Sequence, residues 1–129
     1  MNYGMGGFIS PHVDSMKWND PTSLDYIQRL GPRILTFMIY LSNVFDGGNT
    51  VFPQAGLSIK PEMGSVLCWF TIHQDLSYDS RNLHLGCPTV FGNKWIANKW
   101  IKLNGQFKTY PCTLFKNDFF RIHNSDMVF

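Results

Sequence analysis

The sequence lacks the features that would direct a 129-residue chain to a membrane or to nucleic acid. Its longest apolar runs, such as SVLCWFTI, are far shorter than the roughly 20 residues that a membrane-spanning helix needs. Lysine and arginine form no cluster, and a net charge of +2 is too small to indicate a nucleic-acid partner. The N-terminus, MNYGMGGF, has neither the basic region nor the apolar core of a secretory signal peptide.

Cysteine is also scarce, and its spacing excludes the common zinc sites. The three cysteines, Cys68, Cys87 and Cys112, include no C-x2-C pair. Cysteine is among the most buried residue types, so three buried free thiols are one interpretation. The other is one disulfide and one remaining thiol, and spacing alone leaves both open.

What is present indicates one β-rich globular domain. The apolar content of 44% is enough for a hydrophobic core in a chain of this length. Glycine and proline interrupt the sequence at short intervals. The runs between them are rich in β-branched and aromatic residues: RILTFMIYLSNVF, TVF, SVLCWFTI and KWIANKWI. Such short strands predict a sandwich or barrel, and no alternating strand–helix rhythm supports a doubly wound α/β fold.

One helix is predicted, in the segment DPTSLDYIQRLGP. Asp20 suits the N-cap, Pro21 suits the first helical position, and the Gly31-Pro32 pair ends the helix. Helical spacing places the apolar residues of this segment on one face: Leu24, Ile27 and Leu30.

Two H-x-D motifs are candidates for half of a metal site, His12-Val13-Asp14 and His73-Gln74-Asp75. In a strand, residues two apart point to the same side, so His12 and Asp14 can bind one metal ion. An iron site with two histidines and one carboxylate needs a third ligand from elsewhere in the chain. His84 supplies that ligand for the first pair.

The second motif is less favourable. Only His123 follows His73 and Asp75 as an unassigned histidine, and no cation lies on a later strand. The surrounding segment, HQDLSYDSRN, reads as a polar loop in which a histidine is solvated. The pattern therefore favours His12, Asp14 and His84.

The segment KWIANKWI places a lysine on an inward face. Strand alternation puts Lys94, Ile96, Asn98 and Trp100 on one side and Trp95, Ala97, Lys99 and Ile101 on the other. An inward lysine is costly without a partner, so Lys94 is a candidate for binding an anion.

Several segments together resemble a known family: NYGMGG, PHVD, RILTFMIYLSNV, GGNTVFP, GSVLCWF, DSRNLHLGCP and GNKWIANKWI. They are similar, in order, to the catalytic domain of the collagen-type prolyl 4-hydroxylase α subunit, an Fe(II)- and 2-oxoglutarate-dependent dioxygenase. The resemblance implies a mainly β fold, a double-stranded β-helix (jelly-roll) barrel with one or two flanking helices. It implies a catalytic domain over residues 1–114 and a tail of unknown role over 115–129. It also leads us to expect an N-terminally truncated chain whose first strand is incomplete.

The resemblance assigns roles to eight residues. It implies that His12, Asp14 and His84 bind Fe(II) and that Lys94 pairs with the far carboxylate of 2-oxoglutarate. The other four it places around cosubstrate and substrate: Tyr3 and Thr50 as hydrogen-bond donors to 2-oxoglutarate, Trp100 beside the site, and Arg33 near the peptide groove.

The implied reaction hydroxylates peptidyl proline to 4-hydroxyproline while O2 and 2-oxoglutarate give succinate and CO2. L-ascorbate would rescue oxidised iron, and the substrate would be a proline-rich or collagen-like peptide. By the same resemblance we expect a Cys87–Cys112 disulfide, residence in the endoplasmic reticulum lumen and association with protein disulfide isomerase.

One departure from the family lies beside the first ligand. Family members have a tyrosine three residues before this histidine, and that tyrosine helps to hold the peptide proline. Here the segment FISPH has Ile9 followed by Ser10. The departure puts substrate choice in question but leaves the metal ligands intact. The alternative function is a catalytically impaired, truncated paralogue or fragment that at most binds proline-rich peptide.

Overall fold

The computed structural model describes residues 1–15, 21–106, 108 and 112–115. These residues form one α-helix, α1 (Pro21–Leu30), and two single-turn 3-10 helices, Pro53–Ala55 and Ser80–Asn82. They also form ten strands: β1 (Asn2–Tyr3), β2 (Ile9–His12), β3 (Arg33–Tyr40), β4 (Val44–Gly47), β5 (Thr50–Phe52), β6 (Leu57–Ile59), β7 (Val66–Phe70), β8 (His84–Gly86), β9 (Thr89–Gly92) and β10 (Lys94–Lys102).

Two four-stranded antiparallel sheets make up the body of the fold. One has the order β1-β10-β3-β7 and the other β2-β8-β5-β6, while β4 and β9 form a separate pair. The chain repeatedly crosses from one four-stranded sheet to the other, which is the connectivity of a double-stranded β-helix. The predicted mainly β jelly-roll architecture is therefore confirmed.

The core lies between the sheets and follows the two-residue period of β3. Its even-numbered residues, from Ile34 to Tyr40, are all buried, whereas Phe37 is exposed. The buried apolar side chains form two clusters. The first contains Ile34, Leu35 and Ile72, and the second contains Met38, Tyr40 and Ile96. β10 pairs with β3 along most of the length of β10, so the inward face of β10 also faces this core.

Helix α1 forms where the sequence predicts it, but its apolar face is only partly covered. It ends at Leu30, and the following Gly31 has a φ of 74°, which glycine adopts easily, and an N–H that donates to the carbonyl of Ile27. Ile27 is buried, while Leu24 and Leu30 are 39% and 44% exposed. The predicted cap, Asp20, lies outside the described residues. Within the described ranges, α1 and the two 3-10 turns are too short to cross a membrane.

The cysteines are unbridged in this structure. Cys68 and Cys112 are exposed and Cys87 is half-buried, so the interpretation of three buried thiols is wrong. Cys68 is exposed because strand alternation on β7 turns Leu67 and Trp69 inward instead. The Cys87–Cys112 disulfide is not formed here and stays a prediction.

Candidate metal centre

Two histidines from distant parts of the sequence meet across one pair of strands. His12 ends β2, His84 begins β8, and the two residues are direct partners in the antiparallel register. Their ring centroids are 4.3 Å apart. Asp14 lies two residues beyond the end of β2, and its carboxylate lies beside both rings.

The three side chains converge on one small volume. One ligand atom from each of His12, Asp14 and His84 lies within 4.8 Å of the others. Oδ1 of Asp14 is 3.8 Å from Nε2 of His12 and 4.0 Å from Nε2 of His84. A first-row divalent metal suits this donor set of two imidazoles and one carboxylate. No other cluster of this kind occurs within the residues that the structure describes.

Backbone carbonyls fix both imidazole rings. Nδ1 of His12 lies 2.9 Å from the carbonyl oxygen of Ser10, and Nδ1 of His84 lies 2.8 Å from that of Asn82. A carbonyl only accepts, so each Nδ1 carries the proton and each Nε2 offers its lone pair to the centre. Burial also lowers the pKa of His84, opposed by its bond to Asn82 and the charge of Asp14, which favours the neutral ring that a metal requires.

The carboxylate of Asp14 is held from the opposite sheet. The hydroxyl of Thr36, which is fully buried on β3, donates to Oδ2 of Asp14 at 2.7 Å. Nη1 of Arg33 donates to the backbone carbonyl of Asp14 at 3.1 Å. Sequence reasoning missed Thr36, because its place on the inward face of β3 is that of an ordinary core residue.

Aromatic side chains cover His84. Phe52 stacks on its ring at a centroid distance of 5.3 Å, and Trp69 meets it edge-on at 4.9 Å. These contacts exclude water from one side of His84 and restrict its rotation. Neither aromatic residue was singled out in the sequence.

A cavity of about 220 Å³ extends from this centre. All eight residues to which a role was predicted line it: Tyr3, His12, Asp14, Arg33, Thr50, His84, Lys94 and Trp100. The remaining members of the predicted inward face of β10, Ile96 and Asn98, line it as well. The period-two interpretation of KWIANKWI is therefore confirmed.

Lys94 is a buried cation in the wall of this cavity. Lys94 is only 3% exposed, and its Nζ donates to the Thr50 hydroxyl at 3.2 Å. Thr50 also accepts a bond from the Tyr40 hydroxyl at 2.7 Å, a partner that the sequence did not reveal. Within the described chain no carboxylate forms an ion pair with Lys94. Burial lowers the pKa of Lys94 to about 8, because the charged ammonium loses solvation there.

Tyr3 and Arg33 occupy other parts of the cavity wall. The Tyr3 hydroxyl contacts Sδ of Met1 at 3.8 Å, and the Lys94 ammonium lies 5.6 Å from the Tyr3 ring centroid. The Arg33 guanidinium lies 3.7 Å above the ring of Trp100. The structure therefore brings Tyr3 near Lys94 and stacks Arg33 on Trp100.

The second H-x-D motif is elsewhere and is not a solvated loop as predicted. His73 is buried, with 8% exposure, because an antiparallel bridge between Ile72 and Tyr78 folds the segment back on itself. Oδ1 of Asp75 accepts from the N–H of Ser77 at 2.9 Å, which is a local turn contact. His123 lies outside the described residues.

Comparison with known proteins agrees with this geometry. Residues 1–102 match the family described as the 2OG-Fe(II) oxygenase superfamily. The chain is 44% identical over 113 residues to prolyl 4-hydroxylase subunit alpha-3 of Homo sapiens and 39% identical over 113 residues to subunit alpha-1 of Bos taurus. Each match covers 88% of this chain, but only 20% and 21% of those relatives, so the chain spans about a fifth of their length.

A solved structure shares the fold. The viral collagen prolyl hydroxylase of Paramecium bursaria Chlorella virus-1, in its 2OG complex, superposes with a TM-score of 0.65 at 29% identity. The match covers 77% of this chain and 54% of the viral one. Together with the family match over residues 1–102, this similarity shows that the chain belongs to the 2OG-Fe(II) oxygenase superfamily.

Proposed function

We propose that this chain is a dioxygenase domain that uses Fe(II), O2 and 2-oxoglutarate to hydroxylate peptidyl proline to 4-hydroxyproline. The observation that carries the proposal is that a His-Asp-His cluster and a buried lysine line the same cavity. The names of the relatives support proline in a peptide as the substrate, since they are prolyl 4-hydroxylase subunits and a collagen prolyl hydroxylase.

The ligand residues fit Fe(II). Both Nε2 atoms are held as lone-pair donors, and Asp14 turns Oδ1 toward them while Thr36 engages Oδ2. Three protein ligands leave coordination positions for a bidentate 2-oxo acid and for O2. Bound iron would supply the O2 activation that couples decarboxylation of 2-oxoglutarate to succinate and CO2 with hydroxylation of proline.

Lys94 would bind the far carboxylate of 2-oxoglutarate. Its ammonium is buried without a carboxylate partner in the described chain, and an anion placed there would offset the cost of that burial. Thr50 holds Nζ from the side, and Tyr40 in turn holds Thr50. The chain would therefore orient the cosubstrate by its distal end and leave its 2-oxo end toward His12, Asp14 and His84.

The peptide would approach on the side of Arg33 and Trp100. Ile9, which stands where the family has a tyrosine, also lines the cavity and offers the proline ring only an apolar contact. A proline-rich or collagen-like peptide is the proposed substrate class. L-ascorbate as reductant, a protein disulfide isomerase partner and the endoplasmic reticulum lumen are proposed with it, supported by the resemblance to α subunits.

A succinate-release assay tests the proposal. The chain is supplied with Fe(II), 2-oxoglutarate, ascorbate and a (Pro-Pro-Gly)-type peptide, and hydroxyproline is measured by mass spectrometry in the same samples. We expect equal amounts of succinate and hydroxyproline, and loss of both in His84→Ala. Asp75→Asn, in the second H-x-D motif, is the matched control and should retain both products.

The outcomes separate the two functions considered. Activity that survived His84→Ala would contradict the metal assignment. Peptide binding without succinate or hydroxyproline, in a chain that binds Fe(II), would instead support the alternative of a non-catalytic peptide-binding module.

A further inference from the structure

We propose that the substrate of this site is an acidic peptide, in which a carboxylate side chain close to the target proline is recognised by Arg33, with Lys102 reinforcing the positive charge. This inference rests on the proposed function and deepens it by naming the substrate class.

Arg33 and Lys102 form a cationic pair at one end of the barrel. They begin β3 and end β10, and they are direct partners in the antiparallel register. Facing residues of such a pair have Cα atoms about 5 Å apart, so their charges act on the same region. The Arg33 side chain lines the cavity that contains the metal ligands.

Each cation lies against an aromatic ring, and neither forms an ion pair with a carboxylate of the described residues. Arg33 lies 3.7 Å from the ring centroid of Trp100, and the Lys102 ammonium lies 4.1 Å from that of Tyr26. Such stacking holds the side chains in place but does not neutralise their charge. The Lys102 ammonium lowers the pKa of the Tyr26 hydroxyl, against a smaller opposing effect of burial, and Arg33 lowers it further.

No acidic group among the described lining residues balances this pair. Among the described lining residues Asp14 is the only carboxylate. When Fe(II) and 2-oxoglutarate are bound, the metal and Lys94 together balance Asp14 and the two carboxylates of the cosubstrate. The positive charge of Arg33 and Lys102 then remains.

Buried nitrogens on this side also lack hydrogen-bond partners. Nε of Arg33 and Nε1 of Trp100 are buried and have no partner among the described residues. Buried donors without acceptors are unfavourable, and a carboxylate is the acceptor that a guanidinium pairs with most strongly. A neutral collagen-like sequence would leave this charge unmatched.

The position of Arg33 limits where the acidic residue can lie. Nη1 of Arg33 is 3.1 Å from the backbone carbonyl of Asp14, which places the guanidinium beside the metal centre. An extended peptide advances about 3.3 Å per residue. The carboxylate should therefore belong to a residue within about two positions of the hydroxylated proline.

Peptide binding to the chain loaded with Fe(II) and 2-oxoglutarate, measured without O2, tests the inference. The probes are fluorescein-labelled peptides with a single proline, in which Glu or Gln occupies each neighbouring position in turn. We expect the Glu peptide to bind about fivefold more tightly at one or more positions, the upper range for an ion pair that is not fully buried. The preference should shrink as salt is raised.

Variants of Arg33 and Lys102 show which cation causes the preference for Glu peptides. Arg33→Gln should bring the Glu-to-Gln affinity ratio close to one, while Arg33→Lys, which keeps the charge, should retain part of it. Lys102→Met should reduce the ratio, whereas the matched control Lys99→Met, on the exposed face of β10, should leave it unchanged. Thermal melting of each variant confirms that the chain is folded.

Equal binding of Glu and Gln peptides at every position would overturn the inference, as would a preference that survives Arg33→Gln intact. Hydroxylation without a Glu preference would overturn it while sustaining the proposed function. A Glu preference in a chain that hydroxylates none of the peptides would sustain acidic recognition and overturn the enzymatic proposal.

Discussion

The hydroxyl of Thr36 donates a 2.7 Å hydrogen bond to Oδ2 of Asp14, while Oδ1 of the same carboxylate faces the Nε2 atoms of both histidines. Thr36 belongs to one four-stranded sheet, and His12 and His84 belong to the other. The contact therefore fixes which carboxylate oxygen is presented to a metal and joins the two sheets at the centre.

The role of Thr36 is testable by removing only its hydroxyl. In Thr36→Val, the shape is kept and the carboxylate of Asp14 loses its buried donor. We expect Fe(II) affinity to fall about tenfold or more, as is usual when the hydrogen-bond support of a metal ligand is lost. Anaerobic titration calorimetry measures it. Thr89→Val is the matched control, because the Thr89 hydroxyl is buried without a hydrogen-bond partner among the described residues. Equal affinities in the two variants would contradict the role.

Binding of 2-oxoglutarate should depend on the protonation of Lys94. Because burial lowers the pKa of Lys94 to about 8, the ammonium is lost as pH rises above that value. Affinity for 2-oxoglutarate should then decrease, by up to about tenfold per pH unit well above the pKa. Lys94→Met should bind weakly at every pH and lack this dependence, which separates it from pH effects on the metal. Wild-type affinity that stays constant above pH 8 would count against Lys94 as the carboxylate partner.

Lys94 should also make the free energy of unfolding depend on pH in the absence of cosubstrate. The folded-state pKa of Lys94, about 8, lies below its ordinary value of 10.5, so the unfolded chain binds more protons between these limits. The free energy of unfolding should therefore rise as pH increases from about 8 to about 10.5, by at most about 3 kcal/mol.

Urea unfolding across this pH range provides the measurement. Lys94→Met should be more stable than the wild type near neutral pH and should lose the rise. Lys99→Met, which changes an exposed lysine on the same strand, should keep it. A wild-type curve that coincides with that of Lys94→Met would show that burial of the lysine has no energetic cost.

Gly86 lines the cavity at a position where Ile9 leaves little space for a side chain. A Cβ at this position would lie 2.9 Å from Cγ2 of Ile9 and 3.6 Å from Nζ of Lys94. Since a β-branched side chain adjusts poorly, Gly86→Ala should destabilise the fold by about 1–3 kcal/mol through overpacking.

The double variant Gly86→Ala/Ile9→Ala should recover part of this loss, because it removes the clashing methyl group. A double-mutant cycle from urea unfolding measures the coupling between the two positions. Strictly additive effects would show that the strain in Gly86→Ala arises somewhere other than at Ile9.

Much of the cavity wall was predictable because strands have a fixed period. Once KWIANKWI is taken as a strand, Lys94 and Trp100 must share a face, and the structure places both in the cavity. Thr36 has the same inward direction but looks like any β-forming residue, so nothing in the sequence distinguishes it from ordinary core. The burial of His73 could not be inferred, since it depends on a bridge between Ile72 and Tyr78 that only the folded loop creates.

The pairing of β2 with β8 and of β1 with β10 has a kinetic consequence. Both pairings close large loops, and such high contact order is characteristic of slow-folding topologies. The full ligand set of the metal centre can assemble only after β2 pairs with β8, so high-affinity metal capture should come late in folding. Bound iron would then stabilise the folded barrel and shift the folding equilibrium by mass action. It would not increase the rate of folding.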